Sequence, residues 1–104
     1  MAQIAAVAKL TAAEGKGDEL EAVIADLVRT VADTEPGTLV YAAARDSENA
    51  DEFWFYELYA SAEAAAAHTS GAALADAGRR MKGLLAGRPE VHRATPFAST
   101  GLPS

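Results

Sequence analysis

The segment Glu52 to Ala60, EFWFYELYA, constrains the fold more than any other part of the sequence. Its many aromatic residues favour a β-strand, in which alternate side chains point to opposite faces. The two predicted faces are Phe53, Phe55, Glu57 and Tyr59 on one side, and Trp54, Tyr56 and Leu58 on the other. Because both faces are largely apolar, both sides of the sheet need a cover. Helices of the same chain can cover one side. We expect a second copy of the chain to cover the other, with Trp54 and Tyr56 as buried anchors.

The residues after Gly17 predict a long amphipathic helix. Its apolar residues recur three and four positions apart and form one stripe: Leu20, Val23, Ile24, Leu27, Val28 and Val31. Asp18 and Glu21 have the spacing of a capping box, so Asp18 is the predicted N-cap. Pro36 ends the helix because proline cannot continue it. The stripe must therefore pack against a sheet or another helix.

The remaining segments complete an α+β pattern. Strands are predicted at residues 2–11, 38–46 and 90–97. A short helix is predicted from Ser61 to about His68, and a third helix from Gly71 to a stop at Gly87. The order β-α-β-β-α-(α)-β is the ferredoxin-like split βαβ arrangement, a four-stranded antiparallel sheet with its helices on one face. We expect a single domain over residues 1–97 and a flexible C-terminal tail over residues 98–104.

Composition excludes several classes of function. The net charge is −6, from 15 acidic and 9 basic residues, and no basic block is present. This charge disfavours nucleic acid and anionic membrane surfaces as partners. The absence of cysteine excludes disulfides, thiolate metal sites and thiol nucleophiles. No group of His, Asp and Glu has metal-ligand spacing, so no metal is expected. Without a signal peptide or a membrane-length apolar run, we expect a cytoplasmic protein.

Three segments, taken in order, resemble the antibiotic biosynthesis monooxygenase family. They are residues 8–16 (AKLTAAEGK), residues 35–41 (EPGTLVY) and residues 55–61 (FYELYAS), the last followed by Ala64 and His68. The resemblance covers roughly residues 3–97. It implies a dimeric α+β barrel in which two sheets pack face to face, with a pocket in each protomer between the sheet and its helices. Family members include cofactor-independent monooxygenases, haem-degrading enzymes, an isomerase of a phosphorylated autoinducer, and proteins without a known reaction.

The haem-degrading branch of that family does not fit this chain. Its pattern needs an Asn on the first strand, a Trp at the end of the third strand and an axial His on the third helix. The corresponding positions hold Ala8, Tyr59 and residues 74–78, which contain no His. An iron would have no axial ligand there, so haem degradation is not expected.

The leading hypothesis is a cofactor-independent monooxygenase that oxidises a small aromatic or quinol-like substrate with O2. We expect it to use no cofactor. Two alternatives stay open. One is an isomerase-type enzyme acting on a small phosphorylated metabolite, and the other is a non-catalytic dimeric module that binds a small molecule.

Three residues are candidates for catalysis. His68 is the first choice for a general base because histidine titrates near neutral pH, although it could instead cap its helix. Glu57 lies between aromatic residues, where a carboxylate is costly unless it is paired. It is a second candidate base, but an ion pair with Arg45 or Arg93 is the favoured interpretation. The hydroxyl of Tyr59 could orient a substrate oxygen, or the ring could simply fill space.

The candidates for substrate binding are less specific. They comprise three aromatic residues that could line a pocket or the core, and two arginines that could bind an anion: Tyr41, Phe53, Phe55, Arg45 and Arg79. Arg79 and its neighbour Arg80 could equally be the solvated face of a helix. His92 is interpreted as an ordinary residue of the last strand.

Overall fold

The computed structural model describes residues 2–103. Met1, the first residue of the predicted domain, and Ser104, the last residue of the predicted tail, lie outside the described residues. Its elements are, in order, β1 (Ile4–Thr11), α1 (Gly17–Thr34), β2 (Thr38–Arg45), β3 (Glu52–Tyr59), α2 (Ala62–Thr69), α3 (Ala72–Arg80) and β4 (Glu90–Ala94). The strands form one antiparallel sheet in the order β2-β3-β1-β4. This confirms the predicted α+β ferredoxin-like fold. The boundary between a domain and a tail at residue 97 stays a prediction.

Helix α1 supplies most of the core on its side of the sheet. Five residues of its predicted stripe are buried and the sixth, Val28, packs at their edge. Leu20 is fully enclosed, and Phe53 of β3, which is 2% exposed, belongs to the same cluster. Burial of each such side chain stabilises the fold by about 1.5–3 kcal/mol. The stripe was visible in the sequence because helical periodicity is a local property.

The predicted N-cap of α1 is wrong. The helix begins at Gly17 after Lys16, which makes no side-chain capping bond. Asp18 lies inside the first turn, where its carboxylate accepts a hydrogen bond at 2.9 Å from Nη1 of Arg45. The same nitrogen donates to Glu21 at 3.0 Å. Both carboxylates of the expected capping box are therefore bound by an arginine at the end of β2.

Helix α3 is shorter than predicted. It ends at Arg80, and the chain then turns through Gly83, whose φ of +83° lies in the left-handed region that favours glycine. The backbone nitrogens of Ala13 and Ala86 donate to the carbonyls of Leu84 and Thr11, each at 2.8 Å. These bonds attach residues 84–86 to the end of β1. The backbone groups that make them are therefore not available for a continued helix. Strand β4 likewise ends at Ala94 instead of residue 97.

The second face of the sheet, here called the outer face, is buried at Leu58, which is 1% exposed. Around Val7 and Trp54 it is less covered than the inner face, which packs against the helices. Val7 and Trp54 on the outer face are each 40% exposed, whereas Phe53 and Phe55 on the inner face are 2% and 4% exposed. The two faces of the aromatic strand β3 thus have different surroundings in a single copy of the chain.

Substitution of Gly37 tests the packing of α2 on the sheet. A Cβ at Gly37 would lie 2.7 Å from the Cβ of Ala64 in α2. We expect Gly37→Ala to lower the free energy of unfolding by about 1–3 kcal/mol, because backbone or helix must shift to relieve the overlap. Urea denaturation measures the change. Gly87→Ala is the control, since a Cβ there meets nothing within 4 Å. Equal stabilities of the two variants would contradict the close approach.

Candidate active site

A cavity of about 700 Å³ lies between the inner face of the sheet and the helices. Its walls are mostly apolar, with Leu27, Leu74 and Met81 contributed by the helices and the turn after α3. Ala6 and Ala8 of β1 also line it, and their small side chains form what we call the alanine floor. The volume is within the range of pockets that enclose small organic molecules.

The register of the sheet brings four residues into one row across the cavity. Ala6 of β1 pairs with Glu57 of β3 on one side and with Arg93 of β4 on the other. Glu57 in turn pairs with Tyr41 of β2. Directly paired residues point to the same face of a sheet, and all four of these residues line the cavity. The row therefore reads Tyr41, Glu57, Ala6, Arg93.

His68 of α2 is 4% exposed and lines the cavity. Its Nδ1 lies 2.7 Å from Oε1 of Glu35, an oxygen that also accepts a hydrogen bond at 2.9 Å from Oγ1 of Thr38. Because a carboxylate only accepts hydrogen bonds, Nδ1 carries the proton in the neutral ring, which leaves Nε2 as the acceptor. Nε2 has no hydrogen-bond partner among residues 2–103. Every fully buried side-chain polar atom in this range has a partner, so Nε2 is not fully buried. Nε2 therefore keeps access to the cavity.

Two tyrosines hold the imidazole of His68. Its ring centroid lies 4.9 Å from that of Tyr41 and 5.4 Å from that of Tyr59. His68 therefore does not cap the end of α2, which was the alternative interpretation of the sequence. Its second neighbour, Tyr59, is 2% exposed. The imidazole thus contacts two tilted tyrosine rings and is bound to Glu35 at Nδ1.

Glu57 is 8% exposed and accepts a hydrogen bond from the hydroxyl of Tyr59. The ion pair that the sequence favoured is absent within residues 2–103. Arg45 binds Asp18 and Glu21 instead, and Arg93 lies two strands away from Glu57. The carboxylate is therefore compensated by a phenol and not by a cation.

The phenols of Tyr41 and Tyr59 are neutral at ordinary pH. Burial raises the pKa of both hydroxyl groups well above its usual value near 10, and the negative charges of Glu57 and Glu35 raise it further. The hydroxyl of Tyr41 makes no hydrogen bond to any other described residue, so it is free to donate one to a ligand. That of Tyr59 directs its proton to Glu57 and presents its oxygen as an acceptor.

The structure brings together five of the eight predicted site residues. Tyr41, Phe55, Glu57, Tyr59 and His68 line the cavity. The other three lie outside it. Phe53 is in the core beside α1, with the guanidinium of Arg45 5.1 Å from its ring centroid. Arg79 is on the exposed side of α3, where it pairs with Asp76 at 3.1 Å.

Sequence reasoning missed Glu35 as a site residue and gave Arg93 no role in the cavity. In the sequence, Glu35 was considered only as the first residue of the segment EPGTLVY, and Arg93 only as a partner for Glu57. Glu35 and His68 are 33 residues apart, and they meet because α2 packs on the start of β2. No local spacing signals that contact.

Neither a metal centre nor a membrane-spanning helix is found in the described part of the chain. No three His, Asp or Glu side chains among residues 2–103 are grouped so that they could hold a metal ion. No helix formed by these residues is both long and apolar enough to cross a bilayer.

Comparison with known proteins identifies relatives of the chain. The sequence profile of the family described as "Antibiotic biosynthesis monooxygenase" matches residues 3–80. A structure from Caulobacter crescentus, provisionally assigned to such a monooxygenase, is 32% identical, with a TM-score of 0.87 over 93% of this chain and 92% of that one. A provisionally assigned relative from Chloroflexus aurantiacus is 28% identical, with a TM-score of 0.81 over 97% and 99%. A search of curated proteins finds no match.

The raised pKa values of Tyr41 and Tyr59 predict a loss of stability in alkali. In the unfolded chain a phenol ionises near pH 10, whereas the folded chain keeps both protons. The contribution of each tyrosine is thus complete below pH 10 and falls above it by up to about 1.4 kcal/mol per pH unit. Urea denaturation between about pH 9 and pH 12 should show a shallower decline for Tyr41→Phe than for wild type. Identical slopes would contradict the raised pKa of Tyr41.

Proposed function

The chain belongs to the antibiotic biosynthesis monooxygenase family, and from this premise we propose that it is a cofactor-independent monooxygenase. Its substrate would be a small aromatic or quinol-like molecule that is oxidised by O2. The observation that carries the proposal is the buried His68, whose Nδ1 is bound to Glu35 and whose Nε2 is open to an apolar cavity. Such a reaction needs a base, a flat apolar pocket and the exclusion of water.

The first step is removal of a substrate proton. Nε2 of His68 takes the proton of a phenol or of its carbon tautomer, and the carboxylate of Glu35 stabilises the imidazolium that forms. The resulting anion is electron-rich and reacts with O2. For an anthrone the balance is closed: the CH2 group becomes a carbonyl with one oxygen atom, and the other leaves as water. The substrate itself supplies the electrons.

The tyrosines and Glu57 would orient the substrate. Tyr41 is a neutral donor that can bind a substrate carbonyl oxygen. Tyr59 and Glu57 offer acceptor oxygens for a substrate hydroxyl, since the proton between them is already used in their own hydrogen bond. Phe55, whose ring centroid lies 5.4 Å from that of Tyr41, adds an aromatic wall. Positioning by several groups of this kind lowers the entropic part of the barrier.

Oxygen uptake tests the proposed function. Purified protein, without added cofactor, is given a panel of dihydroquinones and anthrones, and spontaneous oxidation is subtracted. We expect uptake by the wild type and a loss of about a hundredfold or more in His68→Gln, which is the contribution expected of a general base. No uptake above background with any substrate would contradict a monooxygenase. Retained ligand binding would then favour the non-catalytic module.

The matched control for this experiment is His92→Gln. His92 is the only other histidine, is exposed on β4 and pairs with Val7 on the outer face, so its loss should leave uptake unchanged. Glu35→Gln keeps a hydrogen-bonding group beside Nδ1 but removes the charge that stabilises the imidazolium. Its rate should fall between those of the wild type and His68→Gln. An equal loss in both histidine variants would point to unfolding or aggregation and not to a base.

We also propose that the outer face of the sheet is the interface of a homodimer. Val7 and Trp54 expose apolar surface there, and Val7 lies beside Tyr56 in the register. Lys9 forms ion pairs with Glu52 at 3.7 Å and Glu90 at 3.4 Å on the same face. An apolar centre with a polar margin is the usual anatomy of an interface.

A cytoplasmic location stays a prediction from the sequence alone.

Val7→Glu tests the dimer. Val7 is solvent-accessible in a single copy, so a carboxylate should be tolerated by the monomer but would be buried without a partner between two copies. We expect sedimentation to show a dimer for the wild type and a folded monomer for Val7→Glu. The control is Ala66→Glu, on the exposed side of α2, which should remain a dimer. A wild-type monomer at all concentrations would contradict the proposed interface.

A further inference from the structure

We infer that the substrate carries an anionic group, a carboxylate or a phosphate, and that this group binds Arg93. The inference rests on the proposed function, because it assumes that the cavity holds a flat aromatic molecule. Its starting point is that the side chain of Arg93 lines the cavity. Arg93 also takes part in no ion pair or side-chain hydrogen bond within residues 2–103. Arg29, Arg45, Arg79 and Arg80 have carboxylate partners. Arg88 has none either, but it does not line the cavity.

The sheet fixes the distance between Arg93 and the groups that handle protons. Glu57 and Arg93 are paired with the same residue, Ala6, from opposite sides. Neighbouring strands lie about 4.8 Å apart, so the backbones of Glu57 and Arg93 are about 10 Å apart. Between them the alanine floor offers a low, flat surface. A fused-ring molecule lying on it would reach Glu57 with one end and Arg93 with the other.

The proton-accepting groups all lie on one side of the alanine floor. His68 contacts Tyr41 of β2 and Tyr59 of β3, on the side of Glu57 and away from β4. The cation lies on the other side, on the edge strand β4. The cavity therefore distinguishes the two ends of a substrate, with acceptors for a hydroxyl at one end and a cation for an anion at the other.

The charges near Arg93 leave it available for a ligand. Glu90, the other charged residue near it on β4, pairs with Lys9 on the outer face. Lys82, which follows α3, also lines the cavity and forms no ion pair among the described residues, so it adds a second positive charge. With a net charge of −6, the protein as a whole repels anions. An anionic substrate therefore needs local cations, and a guanidinium binds carboxylate and phosphate through two parallel hydrogen bonds.

Binding of naphthols tests the inference without oxidation. The probes are 2-naphthol, 6-hydroxy-2-naphthoate and the monophosphate of 2,6-dihydroxynaphthalene, which share one ring system and one hydroxyl. Calorimetric titration near neutral pH measures each dissociation constant. We expect at least one of the two anions to bind the wild type about tenfold more tightly than 2-naphthol, as a charge-assisted hydrogen bond would give. The preferred anion tells whether the site takes a carboxylate or a phosphate.

Two variants assign the preference to Arg93. Arg93→Gln should lose most of the preference for the anions, with only the share that Lys82 contributes left, and Arg93→Lys should keep a larger part of it. Arg29→Gln has the same change in net charge, on α1 and outside the cavity, and should bind like the wild type. Matching thermal unfolding of the variants excludes a general loss of structure.

The inference is overturned by three results: equal affinities of the wild type for all probes, a preference that is undiminished in Arg93→Gln, or no binding of any probe. These results are separate from those of the oxygen-uptake experiment, because the naphthols need only bind. Uptake that depends on His68, with no role for Arg93 in binding, would sustain the proposed function and reject the anionic substrate. A preference that depends on Arg93, with no uptake, would reject oxidation and keep the anion site.

Discussion

The small side chains of β1 are the constraint on which the site depends. Because β1 lies between β3 and β4, Ala6 and Ala8 occupy the middle of the inner face. Leucine at these positions would bury more apolar surface, and burial of each leucine side chain would stabilise the fold by about 1.5–3 kcal/mol. It would also fill the cavity. The core cluster extends along β1 from Ala8 to Leu10, which packs with Phe53 and α1 and also lines the cavity. One strand thus contributes both to the core and to the cavity.

A cavity of this kind must also satisfy the polar groups that it buries. Glu35 does so through His68 and Thr38, and Glu57 through Tyr59. No fully buried side-chain polar atom of residues 2–103 lacks a partner. Satisfied networks in a low dielectric are rigid, whereas an unpaired group there is costly. The same hydrogen bonds that make the carboxylates tolerable therefore fix the imidazole of His68 and the phenol of Tyr59.

Features that depend on local periodicity were predictable from the sequence. The stripe of α1 and the alternating faces of β3 are examples, because each follows from the repeat of one element. The end of α3 was not, since the turn at Gly83 is held by bonds to the end of β1, which is distant in sequence. The contact of Glu35 with His68 was missed for the same reason. His68 was selected because histidine titrates near neutral pH, a property of the residue type that needs no knowledge of the fold; its catalytic role stays a prediction.

Membership of the family does not identify the reaction, but the distribution of charge in the cavity limits the class of substrate that fits. A pocket for a neutral hydrocarbon would need neither a fixed imidazole nor an unpaired guanidinium. Here the acceptor residues Glu57, Tyr59 and His68 are buried, while Arg93 is exposed on the edge strand β4. A molecule with a hydroxyl at one end and an anion at the other can bind the acceptors and Arg93 at the same time. Its anion is not buried without a partner, because it stays at the side nearest solvent. The opposite orientation would place the anion beside Glu57 and Glu35, where carboxylates repel it. The asymmetry of the cavity therefore argues for one direction of binding, with the reacting hydroxyl innermost and beside His68.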